Sequence, residues 1–173
     1  MELKATRLIR NVPDFPSPGI LFRDITPVLA DPEAVHEVVT ALAQFARQTN
    51  TQAVAGIESR GFVFGMPVAM QLRVPFIPFR KPGKLPCATL REEYELEYGT
   101  AAIEAHQDAL EPGVRVLIVD DLLATGGTAA AAVRLVRRLG GVVAGAAFVI
   151  ELVPLRGREL LRDVEVFTLI RFD

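Results

Sequence analysis

The sequence predicts an α/β domain with a central, mainly parallel sheet flanked by helices. Short apolar runs that suit buried strands alternate along the chain with segments whose apolar residues recur at helical spacing. Of the 173 residues, 50% are hydrophobic and 23% are charged, which suits one sizeable core and argues against disorder. We therefore expect a single domain over residues 1–173, with ligands bound beyond the carboxyl ends of the strands.

The predicted elements run in order from the first long helix. This helix begins at Asp31, which precedes a proline and a glutamate, and its apolar spacing continues to Phe45. No strand is predicted within residues 81–100, where prolines, glycines and charges indicate a flexible loop. The remaining predicted elements are strands at 53–57, 75–80, 101–106, 116–119, 142–152 and 164–172, and helices at 62–72 and 129–139.

Composition limits the classes of partner. The net charge of -2 and the pI of about 5.8 argue against a nucleic-acid-binding protein. The longest apolar run, residues 142–152, is too short to cross a membrane, and the chain starts without a signal-peptide core. Cys87 is the single cysteine, so we expect an ordinary thiol in a reducing cytoplasm. His36 and His106 lack metal-ligand partners at useful spacing, and we interpret both as structural.

The most informative segment is the strand at 116–119 together with the residues after it. Asp120 and Asp121 end the strand, and paired carboxylates there are costly unless something uses them. A glycine turn then leads into a helix, whose first amides can hold a phosphate. The two glycines allow close backbone approach and positive φ, and the two threonines add hydroxyl donors. The turn consists of Ala124, Thr125, Gly126, Gly127 and Thr128.

Other phosphate motifs are absent from the sequence. There is no Gly-x-x-x-x-Gly-Lys-Ser/Thr loop and no Gly-x-Gly-x-x-Gly turn, which argues against a nucleoside-triphosphatase and a dinucleotide site. A phosphatase that ligates magnesium directly expects a second aspartate two residues after the first, and Leu122 stands at that position. The pattern therefore favours a site for a phosphorylated sugar.

The whole segment resembles the fingerprint of type I phosphoribosyltransferases. Residues 13–27, the turn at 58–62 and the segments at 80–86 and 94–99 resemble the adenine phosphoribosyltransferase family more specifically. The resemblance implies the type I phosphoribosyltransferase fold, with a small amino-terminal hood over residues 1–30 and a flexible catalytic lid over residues 81–100. It also implies a homodimer.

The implied reaction belongs to purine salvage. Adenine and 5-phospho-α-D-ribose 1-diphosphate would give AMP and diphosphate, with Mg²⁺ as cofactor and an oxocarbenium-like transition state. Two alternatives stay open from the residues alone. One is a transferase for hypoxanthine or xanthine, and the other is a non-catalytic regulator that senses phosphoribosyl pyrophosphate.

The resemblance assigns the sugar phosphate to residues already singled out. Residues 124–128 would hold the 5′-phosphate, and Asp120 and Asp121 would bind the ribose hydroxyls. The two aspartates could orient hydrated Mg²⁺, whose main ligands would be substrate oxygens and water. The chain has three lysines, two of them in the predicted lid, where flexible cations suit a diphosphate. The groups expected to bind the diphosphate are Ser59, Arg60, Gly61, Arg80, Lys81 and Lys84.

The base and the proton transfer are assigned to other segments. Backbone groups of Leu21 and Arg23 would read the donor and acceptor edge of adenine, and Phe22 and Leu152 would pack on its ring. Glu97 is the expected acid–base residue, although Arg91 to Glu97 contains four glutamates and a solvated charge is the alternative. Tyr98 would help to close the lid over the sugar cation and exclude water.

Overall fold

The computed structural model describes residues 3–95 and 99–173. The candidate residues Glu97 and Tyr98 therefore lie outside the described residues. The chain divides into two compact units, residues 1–41 and residues 42–173, and each is described separately.

The first unit contains short elements before the long helix. They are α1 (Lys4–Leu8), β1 (Arg10–Pro13), β2 (Leu21–Asp24), α2 (Thr26–Leu29) and the start of α3 (Pro32–Gln48). The strands β1 and β2 pair antiparallel, with Val12 opposite Phe22. The Asp31 side chain accepts a hydrogen bond from the Ala34 N–H at 3.0 Å, which confirms the predicted start of the long helix.

The second unit holds the rest of α3 and the remaining elements. In chain order these are β3 (Ala53–Ile57), α4 (Arg60–Leu72), β4 (Phe76–Phe79), β5 (Thr89–Glu95), β6 (Thr100–His106), β7 (Arg115–Leu123), α5 (Gly127–Arg138), β8 (Val142–Leu152) and β9 (Val166–Phe172). Two short 3₁₀ helices, Val153–Leu155 and Gly157–Leu161, connect β8 to β9.

A five-stranded parallel sheet forms the centre of the second unit. Its strand order is β4-β3-β7-β8-β9, and every neighbouring pair is parallel. Helix α4 packs on one face, where Gly65 lies against Val54 and Phe76. Helix α5 packs on the other face, in a buried cluster with Ile118 and Phe148. The predicted α/β architecture with a mainly parallel sheet is therefore confirmed.

Among the described strands, the sequence analysis missed three, namely the paired strands β1 and β2 of the first unit and the strand β5. Residues 89–95 form β5, which pairs antiparallel with β6 as a hairpin inside the segment expected to be a loop. Alternate side chains of β5 are half-buried, including Leu90 and Tyr94, which pack against the cluster under α5. The pattern is weak in sequence because polar and charged residues occupy most positions of the strand. No helix in the described residues is long and apolar enough to cross a membrane.

Candidate active site

The candidate site begins at the carboxyl end of β7. Backbone pairing with β8 continues past the two aspartates to Leu123, which keeps their backbone in the sheet. The Asp121 side chain is buried, and its Oδ2 accepts a hydrogen bond from Arg60 Nε at 2.5 Å. The Asp121 N–H donates to Asp120 Oδ1 at 2.9 Å. Two carboxylates are thus held side by side.

Arg60 supplies a positive charge to one member of the pair, Asp121. Burial removes water from Asp120 and the neighbouring Asp121 carboxylate repels its charge, so the pKa of Asp120 lies well above its ordinary value. The Asp121 amide and the Arg60 charge oppose this shift without cancelling it. Hydroxyl groups that donate to these oxygens, or a cation, would stabilise the ionised pair.

The predicted diphosphate turn lies directly against the aspartates. A Cβ atom at Gly61 would lie 2.5 Å from the Val119 carbonyl oxygen and 3.1 Å from Asp120 Oδ1. Any larger residue would have to push the turn away from β7. Ser59 and Arg60 are exposed beside it, at the start of α4. The turn therefore brings a cation and helix amides to the carboxylates.

Glu58 joins this turn to the lysine-containing loop. Its Oε2 accepts hydrogen bonds from the Lys81 N–H at 2.9 Å and from Arg80 Nε at 3.2 Å. These contacts hold the pKa of Glu58 below its ordinary value, with the Lys81 amide as the largest cause. Arg80 also donates to the Lys84 carbonyl oxygen at 3.0 Å. The sequence analysis gave Glu58 no role, because its partners lie more than twenty residues away.

The predicted phosphate loop follows β7 and opens α5. Gly126 caps the helix with φ of 85°, a conformation that suits glycine, and α5 begins at Gly127, earlier than the predicted residue 129. The loop surrounds a small cavity. This cavity is lined by Asp120, Phe148 and the segment from Leu122 to Ala129. The cavity thus joins the carboxylates to the amides at the helix start.

The remaining predicted residues lie at several places in the chain. Leu152 is half-buried at the end of β8, opposite Phe172. Leu21, Phe22 and Arg23 form most of β2 in the first unit. There Phe22 lines a largely apolar groove together with Val12, Phe15 and Asp24.

The predicted lid is anchored at its base. Glu92 of β5 accepts hydrogen bonds from Arg134 Nε at 2.9 Å and from an Arg138 terminal nitrogen at 2.6 Å, both from α5. His106, interpreted as structural, contacts the Pro86 carbonyl oxygen at 2.7 Å through Nε2. These contacts tie both strands of the hairpin to neighbouring segments. His36 is exposed on α3.

Few side chains in the described part of the site could ligate a metal ion. Among the described residues, no group of three or more His, Cys, Asp or Glu side chains could hold a metal ion. Asp120 and Asp121 supply hard carboxylate oxygens, held next to each other by the hydrogen bond from the Asp121 amide to Asp120. This set fits a hydrated Mg²⁺ that brings most of its own ligands.

Comparison with known proteins gives a consistent result. Residues 28–171 match the family described as "Phosphoribosyl transferase domain". The adenine phosphoribosyltransferase of Chloroflexus aurantiacus is 56% identical over 165 residues, which are 95% of each chain. The crystal structure of adenine phosphoribosyltransferase from Thermoanaerobacter pseudethanolicus aligns with a TM-score of 0.95 and 50% identity over 98% of each chain. The Saccharomyces cerevisiae enzyme, crystallised with an imino-altritol bisphosphate and adenine, aligns with a TM-score of 0.92 and 39% identity over 96% of each chain.

Proposed function

The chain belongs to the adenine phosphoribosyltransferase family, and we propose that its β7 site makes AMP from adenine and 5-phospho-α-D-ribose 1-diphosphate, releasing diphosphate. One observation carries the proposal. The Asp120–Asp121 pair contacts the Arg60–Gly61 turn on one side and continues into the phosphate loop on the other. The phosphate loop would hold the 5′-phosphate, the aspartate pair would hold the ribose ring, and the Arg60–Gly61 turn would hold the diphosphate.

The leaving diphosphate needs positive charge and amide donors. Arg60 is half-exposed next to Asp121, and Arg80 and Lys81 are positioned through Glu58. Lys81 and Lys84 are exposed on the same loop. Charge that develops on the diphosphate as the C1–O bond breaks would be stabilised by these cations.

The ribose ring acquires positive charge in the same step. We assign its hydroxyls to Asp120 and Asp121, whose oxygens accept hydrogen bonds and whose negative charge would stabilise an oxocarbenium-like ring electrostatically. Hydroxyl donors would also relieve the repulsion within the pair. The 5′-phosphate would rest on the amides and hydroxyls of residues 124–128.

Mg²⁺ is proposed as the cofactor of this site. Asp120 and Asp121 would hold it through its water shell, and the ion would supply positive charge to the diphosphate. The residues of the chain then orient the sugar between the phosphate loop and the turn at Gly61.

The recognition of adenine is assigned to Leu21, Phe22, Arg23 and Leu152. Leu21, Phe22 and Arg23 belong to β2, which pairs antiparallel with β1. Backbone groups of Leu21 and Arg23 on this strand would form hydrogen bonds with one donor and one acceptor of adenine. A 6-oxo purine reverses this pattern of donor and acceptor. The Phe22 ring packs edge-on against the Phe15 ring, with 5.1 Å between the ring centroids. Phe22 would provide an aromatic surface for a purine.

Proton transfer at the base is proposed for Glu97. This assignment rests on its position in the segment Leu96 to Gly99, which resembles the lid of the family. Tyr98 would help the lid to exclude water. Glu97→Gln is expected to lower kcat by about 10²-fold or more while the Kd of the sugar substrate changes little. A change confined to sugar affinity would contradict this role.

We also propose a cytoplasmic homodimer. Val63, Met66 and Met70 are exposed along one side of α4, and an apolar stripe of this kind suits an interface between copies. The exposed free thiol of Cys87 suits a reducing compartment. Light scattering of the purified protein tests the dimer.

The activity is tested with adenine, hypoxanthine and xanthine in parallel. The protein, the diphosphate sugar and Mg²⁺ are mixed with each base, and diphosphate release and nucleotide formation are measured together. AMP formation from adenine, with much slower turnover of the 6-oxo bases, is the expected result. Faster turnover of hypoxanthine would replace the adenine assignment, and sugar binding without turnover would indicate a sensor.

A further inference from the structure

A buried carboxylate outside the catalytic pair is fully engaged by side chains. Glu151, near the end of β8, is 4% exposed. Its two oxygens accept hydrogen bonds from Arg158 Nε at 2.7 Å and from an Arg158 terminal nitrogen at 2.9 Å. Thr168 of β9 donates to the same carboxylate at 2.7 Å and accepts from Arg158 at 2.8 Å. Arg158 also donates to the Val166 carbonyl oxygen at 3.0 Å.

This network fixes the short 3₁₀ helix that begins at Gly157. Arg158 ties the start of the helix to β8 and β9, and Leu161 ties its end into the core cluster that underlies α5. Replacing a buried ion pair by apolar residues is often neutral or stabilising, so such a pair is a weak source of net stability. The defined bidentate geometry therefore points to a positional role.

Gly157 packs directly against the phosphate loop, so the placement of the 3₁₀ helix affects the placement of the loop. A Cβ atom at Gly126 would lie 2.4 Å from the Gly157 carbonyl oxygen, and a Cβ atom at Gly157 would lie 2.4 Å from the Ala124 carbonyl oxygen. The two backbones are thus in direct contact, with no space for a side chain on either. A displacement of Gly157 towards the loop must therefore displace the residues that open α5, and a displacement away from it removes the contact that supports them.

We propose that Glu151, Arg158 and Thr168 are positioning residues for the 5′-phosphate, acting through the contact of Gly157 with the loop at residues 124–128. The proposal rests on the proposed function, because it assigns the 5′-phosphate to that loop. The network holds the loop amides in place before the ligand arrives, which lowers the cost of ordering them on binding. It has no contact with the diphosphate turn in the described hydrogen bonds.

Ligand-selective binding tests the proposal. Arg158→Met keeps the aliphatic stem and removes the hydrogen bonds, so the Kd for ribose 5-phosphate is expected to rise about tenfold, as a small misplacement of binding groups can cause. The Kd for Mg²⁺-diphosphate should stay within about twofold. Arg137→Met is the matched control, because Arg137 makes an exposed ion pair with Asp163 at 2.6 Å on the last turn of α5. It should leave both constants unchanged.

Steady-state kinetics provide a second readout. Arg158→Met should raise the KM for the diphosphate sugar and leave the KM for adenine near the wild-type value, and Arg158→Lys should recover part of the loss. If Arg158→Met does not fold, Gly157→Ala provides the test, because its Cβ presses on the Ala124 carbonyl oxygen while the network stays intact. The same selective loss is expected.

The outcomes separate the two proposals. Equal weakening of both ligands by a folded Arg158→Met variant, or unchanged binding of ribose 5-phosphate in it, would overturn the positioning role. If Arg158→Met does not fold, the same results in Gly157→Ala would overturn it. Failure of the wild-type protein to bind ribose 5-phosphate would instead remove the proposed function itself.

Discussion

The carboxyl ends of β7 and β8 carry acidic groups in neighbouring strands with opposite electrostatic outcomes. Asp121 contacts Arg60, and the pKa of Asp120 is raised by burial and by its neighbour. Glu151 contacts Arg158 and Arg171 and a threonine hydroxyl, and its pKa is lowered, with Arg158 as the largest cause. Asp120 and Asp121 repel each other and therefore suit a ligand that brings donors or positive charge. Glu151 already accepts hydrogen bonds on both oxygens and therefore suits a structural role.

This contrast shows how partners decide what a buried acid can do. A carboxylate whose lone pairs are occupied by fixed donors gains little from a substrate. A pair that repels itself gains from each hydroxyl or cation that arrives. Such a pair is costly to the free protein, and it is retained where binding compensates for the cost.

The largest expected effect is on activity. Asp120→Ala combined with Asp121→Ala should lower turnover by about 10³-fold or more, because the ribose loses its acceptors and its electrostatic stabilisation. Circular dichroism should show an unchanged fold. Asp163→Ala, which removes an exposed carboxylate paired with Arg137, is the control and should leave turnover unchanged. Near-normal rates in the double variant would show that the pair has no catalytic role.

Among the substitutions considered, Glu151→Ala should cause the largest loss of stability. Glu151→Ala leaves Arg158 and Thr168 without their shared acceptor. The free energy of unfolding should fall by about 2–3 kcal/mol, less than for a fully buried pair because the arginines reach solvent. Urea unfolding measures this loss. A loss no larger than that of Asp163→Ala would contradict the comparison.

A substitution at Asp120 should change stability in the opposite direction, because loss of its charge should stabilise the folded protein. The folded protein raises the pKa of Asp120, so its contribution to stability is full below the unfolded pKa and is lost as pH rises through the folded pKa. Asp120→Asn removes the charge and should raise Tm by a few degrees at pH 7, with the gap closing towards pH 4. Thermal melts across this range measure the difference. A gap independent of pH would indicate a different cause.

The smallest expected effect concerns a single hydroxyl of the network. Thr168→Val keeps the side-chain shape and removes a hydroxyl that both donates to Glu151 and accepts from Arg158. The free energy of unfolding should fall by about 1 kcal/mol, the usual value of one hydrogen bond. Because the pKa of Glu151 is lowered in the folded state, this loss should shrink as pH falls through that pKa. A loss unchanged at acid pH would assign it to packing.

Much of the fold was predictable because its signals are local. The capped start of α3, the apolar strands of the sheet and the glycine turn before α5 each depend on neighbouring residues and backbone geometry. The strand β5 was missed because its polar residues gain their stability from β6 and from Arg134 and Arg138 of α5. The lid assignments at Glu97 and Tyr98 stay predictions.

The sequence by itself determined the alternation of strands and helices and the identity of the Asp120–Asp121 and phosphate-loop motif, because residue type and short spacing specify both. Only the tertiary structure decided which charges meet. Arg60 reaches Asp121 across sixty-one positions, and Gly157 reaches Gly126 across the connection after β8. Such contacts depend on how distant elements pack, and the partners then set whether a buried acid is available to a ligand or already occupied.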